Sequence, residues 1–140
     1  MNISFQSDAI DMPAINQDKL QLWIAAVAKS YDRHVGAVTY IFCNDEKILE
    51  VNRQFLQHDY YTDIITFDDS LGRTIRGDIF ISLDTVASNA QQLHTDYQEE
   101  LHRVIIHGIL HLCGINDKGP GERAIMEAAE NKALALLKNL

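Results

Sequence analysis

The sequence predicts an α+β fold, a small mixed β-sheet packed with helices, and three observations carry that expectation. Apolar residues recur at helical spacing in some segments and form β-branched or aromatic runs in others. Two such runs flank a turn-rich segment closely enough to form an antiparallel hairpin, whereas an earlier one leads straight into a helix. Apart from its two histidines and one glycine, the stretch Val104 to Cys113 is apolar on every side, as expected of a helix running through a core. The 140 residues are 46% hydrophobic and 23% charged, which suits one domain with a single core. With no Ser/Gly/Pro-rich linker, repeat or like-charge block, residues 1–140 read as one unit.

Taken in order, Leu20, Trp23, Ile24, Val27, Ala28 and Tyr31 fall at helical spacing behind Asn16, a good capping residue, and predict a helix over about 17–31. Val38, Tyr40 and Phe42 alternate with Thr39, Ile41 and Cys43, which predicts a mostly buried strand. Asn44 then supplies a cap, and Asp45 and Glu46 put anions at the start of a helix continued by Ile48, Val51 and Phe55 to about Leu56. Ile64–Phe67 and Ile75–Ser82 are the two arms of the hairpin around Asp68–Arg73. A short helix follows near Leu83 to Leu93. Thr95 with Gln98 three residues on reads as a capping box, opening a helix that runs to about Cys113 before Gly114 stops it. The last helix, Gly121 to Leu137, is expected to turn Ile125, Met126, Ala129, Ala133, Leu136 and Leu137 inward.

Twelve Lys and Arg against twenty Asp and Glu leave a net charge of −8. The molecule as a whole repels polyanions, so any nucleic acid must be met locally. Cys43 and Cys113 are too few for a disulfide framework and neither lies in a CxxC pair, which fits a reducing cytoplasm. The opening residues lack the basic and apolar regions of a signal peptide, and no apolar stretch approaches the ~20 residues that span a bilayer. A cytoplasmic location with no membrane partner is the expectation.

His107 and His111 are one helical turn apart, so their rings project from one face and can converge on one ion. In an apolar helix they are expected to lose hydration, which disfavours the protonated form and leaves neutral nitrogens suited to a metal. Two core histidines hydrogen-bonded to backbone would show the same spacing. Beyond Gly114, the segment Ile115-Asn116-Asp117 can fold back to bring Asp117 to the same point. Two His and one Asp leave a fourth position open, the pattern of a catalytic site. The alternative for Asp117 is a cap for the following helix. Cys113, about 200° round the helix from His111, is expected to be a packing residue. His102 is about 140° from His107 and expected to make a core hydrogen bond, and His58 and His94 are expected to lie in solvent.

The run His107-Gly108-Ile109-Leu110-His111-Leu112-Cys113-Gly114-Ile115-Asn116-Asp117 resembles the HGxLHLxGxDH signature of the YbeY family of metal-dependent endoribonucleases. Val51-Asn52-Arg53-Gln54-Phe55 through Asp59, then Thr62-Asp63-Ile64-Ile65-Thr66-Phe67, is similar to that family's LNxxYRxxDxPTDVLSF segment, and Gly77–Ser82 to its GDIxIS strand. The resemblance implies a zincin-like arrangement with the metal helix through the core. It implies a single-strand-specific endoribonuclease of 16S rRNA 3′-end maturation and ribosome quality control, with rRNA, the small ribosomal subunit and a ribosome-associated protein as partners, and no DNA. It also implies His107, His111 and Asp117 as ligands of one divalent ion, zinc first.

Asp117 stands where the family has a third histidine. The added negative charge makes zinc a weaker Lewis acid and favours iron or manganese as alternatives. Leu56 occupies the place of a family arginine. Arg53, one turn earlier, is the candidate RNA-binding residue in its stead, its alternative being a solvated surface arginine. Tyr61 replaces a proline. The ion is expected to activate water and polarise a phosphoryl oxygen, but no general base is evident. Gly108 occupies the place of the zincin glutamate, which disfavours a metallopeptidase. Asp59 and Asp63, turn residues first, are further candidates to orient a ligand or accept a proton. Arg53, Arg73, Arg76, Arg103 and Lys118 are candidates to line one side of a cleft near the metal, with Tyr60 and Tyr61 available to stack on bases, the alternative being solvated surface residues. A non-catalytic, ribosome-associated metal-binding module is the competing reading.

Overall fold

The computed structural model describes residues 2–57 and 62–140. The elements run β1 (Asn2–Ser7), α1 (Gln17–Ser30), β2 (His34–Cys43), α2 (Asp45–Leu56), β3 (Ile64–Asp68), β4 (Thr74–Ser82), α3 (Leu83–Leu93), α4 (Tyr97–Leu112) and α5 (Glu122–Lys138). The strands form one mixed sheet in the order β1-β2-β4-β3. β1 lies parallel to β2 and β2 parallel to β4, while β3 and β4 are the expected antiparallel hairpin. The fold is α+β, as predicted.

Parallel neighbours need a crossover, and α1 supplies the one from β1 to β2. Asn16 caps α1 by accepting from the Lys19 N–H, and Asn44 caps α2 by accepting from the Lys47 N–H. The cap of α4 is Asp96, which accepts from the Glu99 N–H, and not Thr95. Both are capping types, and one residue decides where the helix begins. β1 is an element the sequence reading did not include. Its Ile3 and Phe5 are buried, and it pairs in register from Asn2–Ala37 to Ser7–Phe42. β2 begins at His34, four residues before the alternating run.

The helices α1, α3, α4 and α5 cover one face of the sheet. Val38, Tyr40 and Phe42 from β2 and Ile75, Ile79 and Ile81 from β4 meet Trp23, Leu101, Ile105, Ile106, Ile109 and Leu110 in the main core. Burial of each such side chain contributes about 1.5–3 kcal/mol. Two buried polar tips are satisfied by helix carbonyls: Trp23 Nε1 donates to Ala133 O at 2.7 Å and Tyr40 Oη donates to Ile105 O at 2.8 Å. The second of these ties β2 to α4 two residues before His107.

On the opposite face α2 buries Ile48 and Val51 against Cys43 and Ile65, with Phe67 and Phe80 beside them. Phe55 is largely exposed, touching Phe67 edge-on at 5.7 Å. Backbone contact in the hairpin is close at Gly77, where a Cβ would stand 2.1 Å from Phe67 O. No side chain fits there. Along α5, Met126, Ala133, Leu134 and Leu137 face the core, but Ile125 is exposed, correcting its expected inward place. Among the described residues no helix is long and apolar enough to cross a membrane.

Candidate metal centre

α4 carries both histidines on one side. Glu100, Arg103, His107 and His111 follow one another at three- or four-residue steps and so lie in a stripe along one side of the helix, while Leu101, Val104, Ile105, Ile106, Gly108, Ile109, Leu110 and Leu112 are buried. Gly108 sits beneath this stripe. A Cβ there would meet Ile79 Cδ1 at 2.9 Å and Ile64 Cδ1 at 3.2 Å, so the missing side chain lets α4 lie close on β3 and β4.

Gly114, at φ +98°, ends the helix in a conformation suited to glycine. Its N–H donates to His111 O at 3.0 Å, and the Ile115 N–H donates to Leu110 O at 3.1 Å. The chain thereby turns back along α4, and Asp117 Oδ2 comes to 3.3 Å from His107 Nε2. Asp117 does not cap α5: the cap position is Gly121, and the loop is closed instead by Glu122 Oε1 accepting from the Gly119 N–H at 2.6 Å. Cys113 is buried, as expected of a packing residue.

The other nitrogen of His107, Nδ1, stands 2.7 Å from Glu130 Oε2. Glu130 comes from the inward side of α5 and is 9% exposed. Its second oxygen accepts from Arg103 Nη1 at 2.9 Å, and Arg103 Nη2 donates to Asn131 Oδ1 at 2.7 Å. Burial disfavours a charge on His107, but the hydrogen bond to Glu130 and the charges of Glu130, Asp117 and Asp63 outweigh it and raise its pKa. This corrects the expectation, from burial alone, of a weakened base. Burial likewise opposes ionisation of Glu130, and the hydrogen bonds from His107 and Arg103 outweigh it and hold its pKa below the ordinary carboxylate value. Asp63 and Glu100, on the same side of the molecule, are shifted upward, chiefly by burial.

The structure brings His107 and Asp117 together. Two donors each about 2.0–2.1 Å from one tetrahedral ion stand roughly 3.3–3.4 Å apart, so the observed 3.3 Å suits a shared cation as well as an ion pair. His111 lies one turn along the stripe, half-buried, and among the described residues no group of three His, Cys, Asp or Glu side chains is already gathered for a metal. The donor chemistry fits a divalent ion: two imidazoles and a carboxylate, with a further carboxylate behind one imidazole.

Other expected residues scatter. Arg73 pairs with Asp32 at 2.9 Å and Arg76 with Asp69 at 3.5 Å, both away from the stripe. Arg103 of that basic group joins it, and Lys118 is exposed in the loop directly after Asp117. Arg53 is exposed in the last turn of α2, on the helix that covers the far face of the sheet. His58, Asp59, Tyr60 and Tyr61 lie outside the described residues. His102 meets the edge of Trp23 at 6.1 Å, so its core contact is aromatic. His94 is exposed and ends α3. Glu130 was missed, although one signal for it was present: a carboxylate four residues after Met126 and three before Ala133 falls on the apolar stripe of α5, and a carboxylate there requires a partner.

A helix bearing two histidines thus lies against a small mixed sheet, and a glycine turn brings a carboxylate back to the first of them, in an α+β fold. The family model described as endoribonuclease YbeY, a family of hydrolytic endoribonucleases, matches residues 2–138, and the chain belongs to this family. It is 65% identical over 138 residues to endoribonuclease YbeY of Bacteroides fragilis, covering 99% of each chain. It is 67% identical over 135 residues to the Phocaeicola vulgatus protein of that name, covering 96% of this chain and 98% of the relative. A solution structure from Thermotoga maritima superposes with a TM-score of 0.66 at 27% identity, covering 96% of this chain and 88% of that one.

Proposed function

We propose that this protein is a metal-dependent endoribonuclease of rRNA processing, which hydrolyses phosphodiesters of single-stranded RNA at a centre formed by His107, His111 and Asp117. Family membership supports the endoribonuclease activity, and the observation that carries the centre is the approach of Asp117 Oδ2 to His107 Nε2 across the Gly114 turn. His111 completes the set from the next turn of α4. A divalent ion bound there supplies Lewis acidity for water activation and phosphoryl polarisation. With an anionic ligand in the set, zinc is the first candidate and iron or manganese the alternatives.

The chain's own residues then divide the work. His107 and Asp117 hold the ion, and α4 keeps the histidines in a fixed frame on the sheet. Asp63, half-buried and with a raised pKa, is the candidate carboxylate to exchange a proton near the centre. Asp63, Asp117 and Glu130 bring negative charge to His107, and Glu100 adds a carboxylate on the stripe itself. Phosphate therefore approaches favourably only when a cation is bound, which makes the substrate contact local, salt-dependent and metal-dependent. Arg53, exposed on α2 and apart from the stripe, is the candidate for a backbone contact away from the centre, and rRNA within the small ribosomal subunit, in the cytoplasm, is the proposed substrate.

Cleavage of a fluorogenic single-stranded RNA tests this directly. Chelation or His111→Ala is expected to abolish turnover while unfolding remains cooperative, and Asp117→Ala to weaken metal binding. Asp117→His is expected to retain activity with a shifted metal preference. Full activity after chelation, or unchanged metal affinity in Asp117→Ala, overturns the reading.

A further inference from the structure

We propose that Glu130, clamped by Arg103, is the positioning residue that selects which nitrogen of His107 faces the cation. The inference rests on the reading of His107 as a metal ligand and adds the device that orients it. Arg103, His107, Glu130 and Asn131 form a link between α4 and α5. One carboxylate oxygen takes Arg103 Nη1 at 2.9 Å, the other stands 2.7 Å from His107 Nδ1, and the guanidinium's second arm reaches Asn131 at 2.7 Å. An ionised carboxylate only accepts, so Nδ1 carries the proton and donates. Nε2 is then the nitrogen turned toward Asp117, 3.3 Å away.

Packing alone gives no reason for this arrangement. Glu130 stands on the same side of α5 as Met126, Ala133 and Leu134, where an apolar side chain of similar volume would fill the space at no desolvation cost. What the carboxylate adds is direction. Both of its oxygens are engaged, so it is fixed, and it fixes the ring in turn. A carboxylate behind a ligating imidazole sets its tautomer and strengthens it as a donor, and loss of such a partner weakens metal binding about 10–100-fold. Arg103 acts one step further back, holding Glu130 from the turn of α4 that precedes His107.

The test is a cobalt(II) titration of the chelator-stripped full chain, followed by visible absorption, together with nitrogen NMR of the imidazole rings. Wild type is expected to bind one cobalt and, stripped and at a pH alkaline enough for the ring to be neutral, to show His107 with its proton on Nδ1. Glu130→Ala is expected to bind cobalt about 10–100-fold more weakly, with that tautomer preference lost and thermal unfolding still cooperative. Glu130→Gln, which fills the same volume and still offers an acceptor oxygen, is expected to fall between the two, and Arg103→Met to give a smaller loss. Should Glu130→Ala fail to fold, Glu130→Gln and Arg103→Met carry the comparison. Cobalt affinity and tautomer both unchanged in the folded variants overturn this inference and leave the metal reading standing. A wild type that takes up no cobalt overturns the metal reading, and this one with it.

Discussion

Among the described residues two polar side-chain networks that join helices stand in contrast, and one of them leaves a group over. At the junction of α2 and α3 two helix N-termini meet, each beside the other's aspartate. Asp45 Oδ1 accepts from Ser82 Oγ at 2.6 Å and from Thr85 Oγ1, and Asp84 Oδ2 accepts from the Asp45 N–H at 3.0 Å. Two anions thus sit at two positive helix ends, held by hydroxyls and backbone. At the seam of α4 and α5 the carboxylate of Glu130 meets Arg103 and His107. The junction closes on itself. The seam hands on a second imidazole nitrogen, with Asp117 beside it and His111 one turn away. A buried polar network alone is therefore a poor marker of function; what sets the seam apart is that it ends on an imidazole nitrogen facing a further carboxylate.

The largest expected effect separates the two sites by what they lose. His107→Ala removes a ligand from the proposed centre, and a metal's Lewis acidity is worth several kcal/mol. At 1.36 kcal/mol per tenfold, turnover of single-stranded RNA should fall about 10³-fold or more. Asp45→Ala should lower stability by about 2 kcal/mol, since two hydroxyls lose a charged acceptor and a helix end loses its anion. Its activity per folded molecule should match wild type. Denaturant unfolding and RNA cleavage on the same preparations check both. If Asp45→Ala lost turnover as His107→Ala does, the division between a structural junction and a functional seam would be wrong.

How far each network was legible in the sequence differs for the same physical reason. Asn44, Asp45 and the His107–His111 spacing are local signals, because caps and one-turn repeats are decided within four residues. That Asp117 comes back to His107 was also readable, since Gly114 dictates the turn. Glu130 lies 23 residues from His107, and its pairing depends on how α5 docks against α4. The sequence shows only a carboxylate out of place on an apolar stripe. β1 escaped notice because Ile3 and Phe5 are a short alternation whose strand state comes from pairing with β2, across the whole of α1. The choice of Asp96 over Thr95 as cap is a contest between neighbours of similar propensity, which one hydrogen bond settles.

A smaller effect should appear where α4 lies on the sheet. Alanine at Gly108 would gain up to about 1 kcal/mol of helix propensity. The same Cβ would stand 2.9 Å from Ile79 Cδ1 and 3.2 Å from Ile64 Cδ1. Overpacking of this kind costs about 1–3 kcal/mol, so the net loss should be about 1 kcal/mol. As α4 lifts, metal affinity should weaken with stability, in contrast to Asp45→Ala, which leaves affinity alone. A Gly108→Ala protein more stable than wild type would show that the helix is not held close by its missing side chain.

The finest distinction is in pH. In the metal-free protein His107 has a raised pKa. Its pairing therefore stabilises the fold fully below its ordinary 6.5 and is lost as pH rises through the higher folded value. Glu130 has a lowered pKa, so its pairing is present above its ordinary 4.5 and lost as pH falls through the lower folded value. The two together stabilise the seam in full between about pH 4.5 and 6.5. Asp63 and Glu100, raised by burial, work in the opposite sense as they ionise, so the wild-type profile is a sum. Subtracting the profile of Glu130→Gln isolates the pair. The difference in melting temperature between the chelator-stripped wild type and Glu130→Gln should be widest inside that window and shrink toward acid and toward alkali. Asp45→Ala, which leaves the seam intact, should keep the window, and a difference that instead grew steadily into alkali would show that the ion pair does not hold α4 to α5.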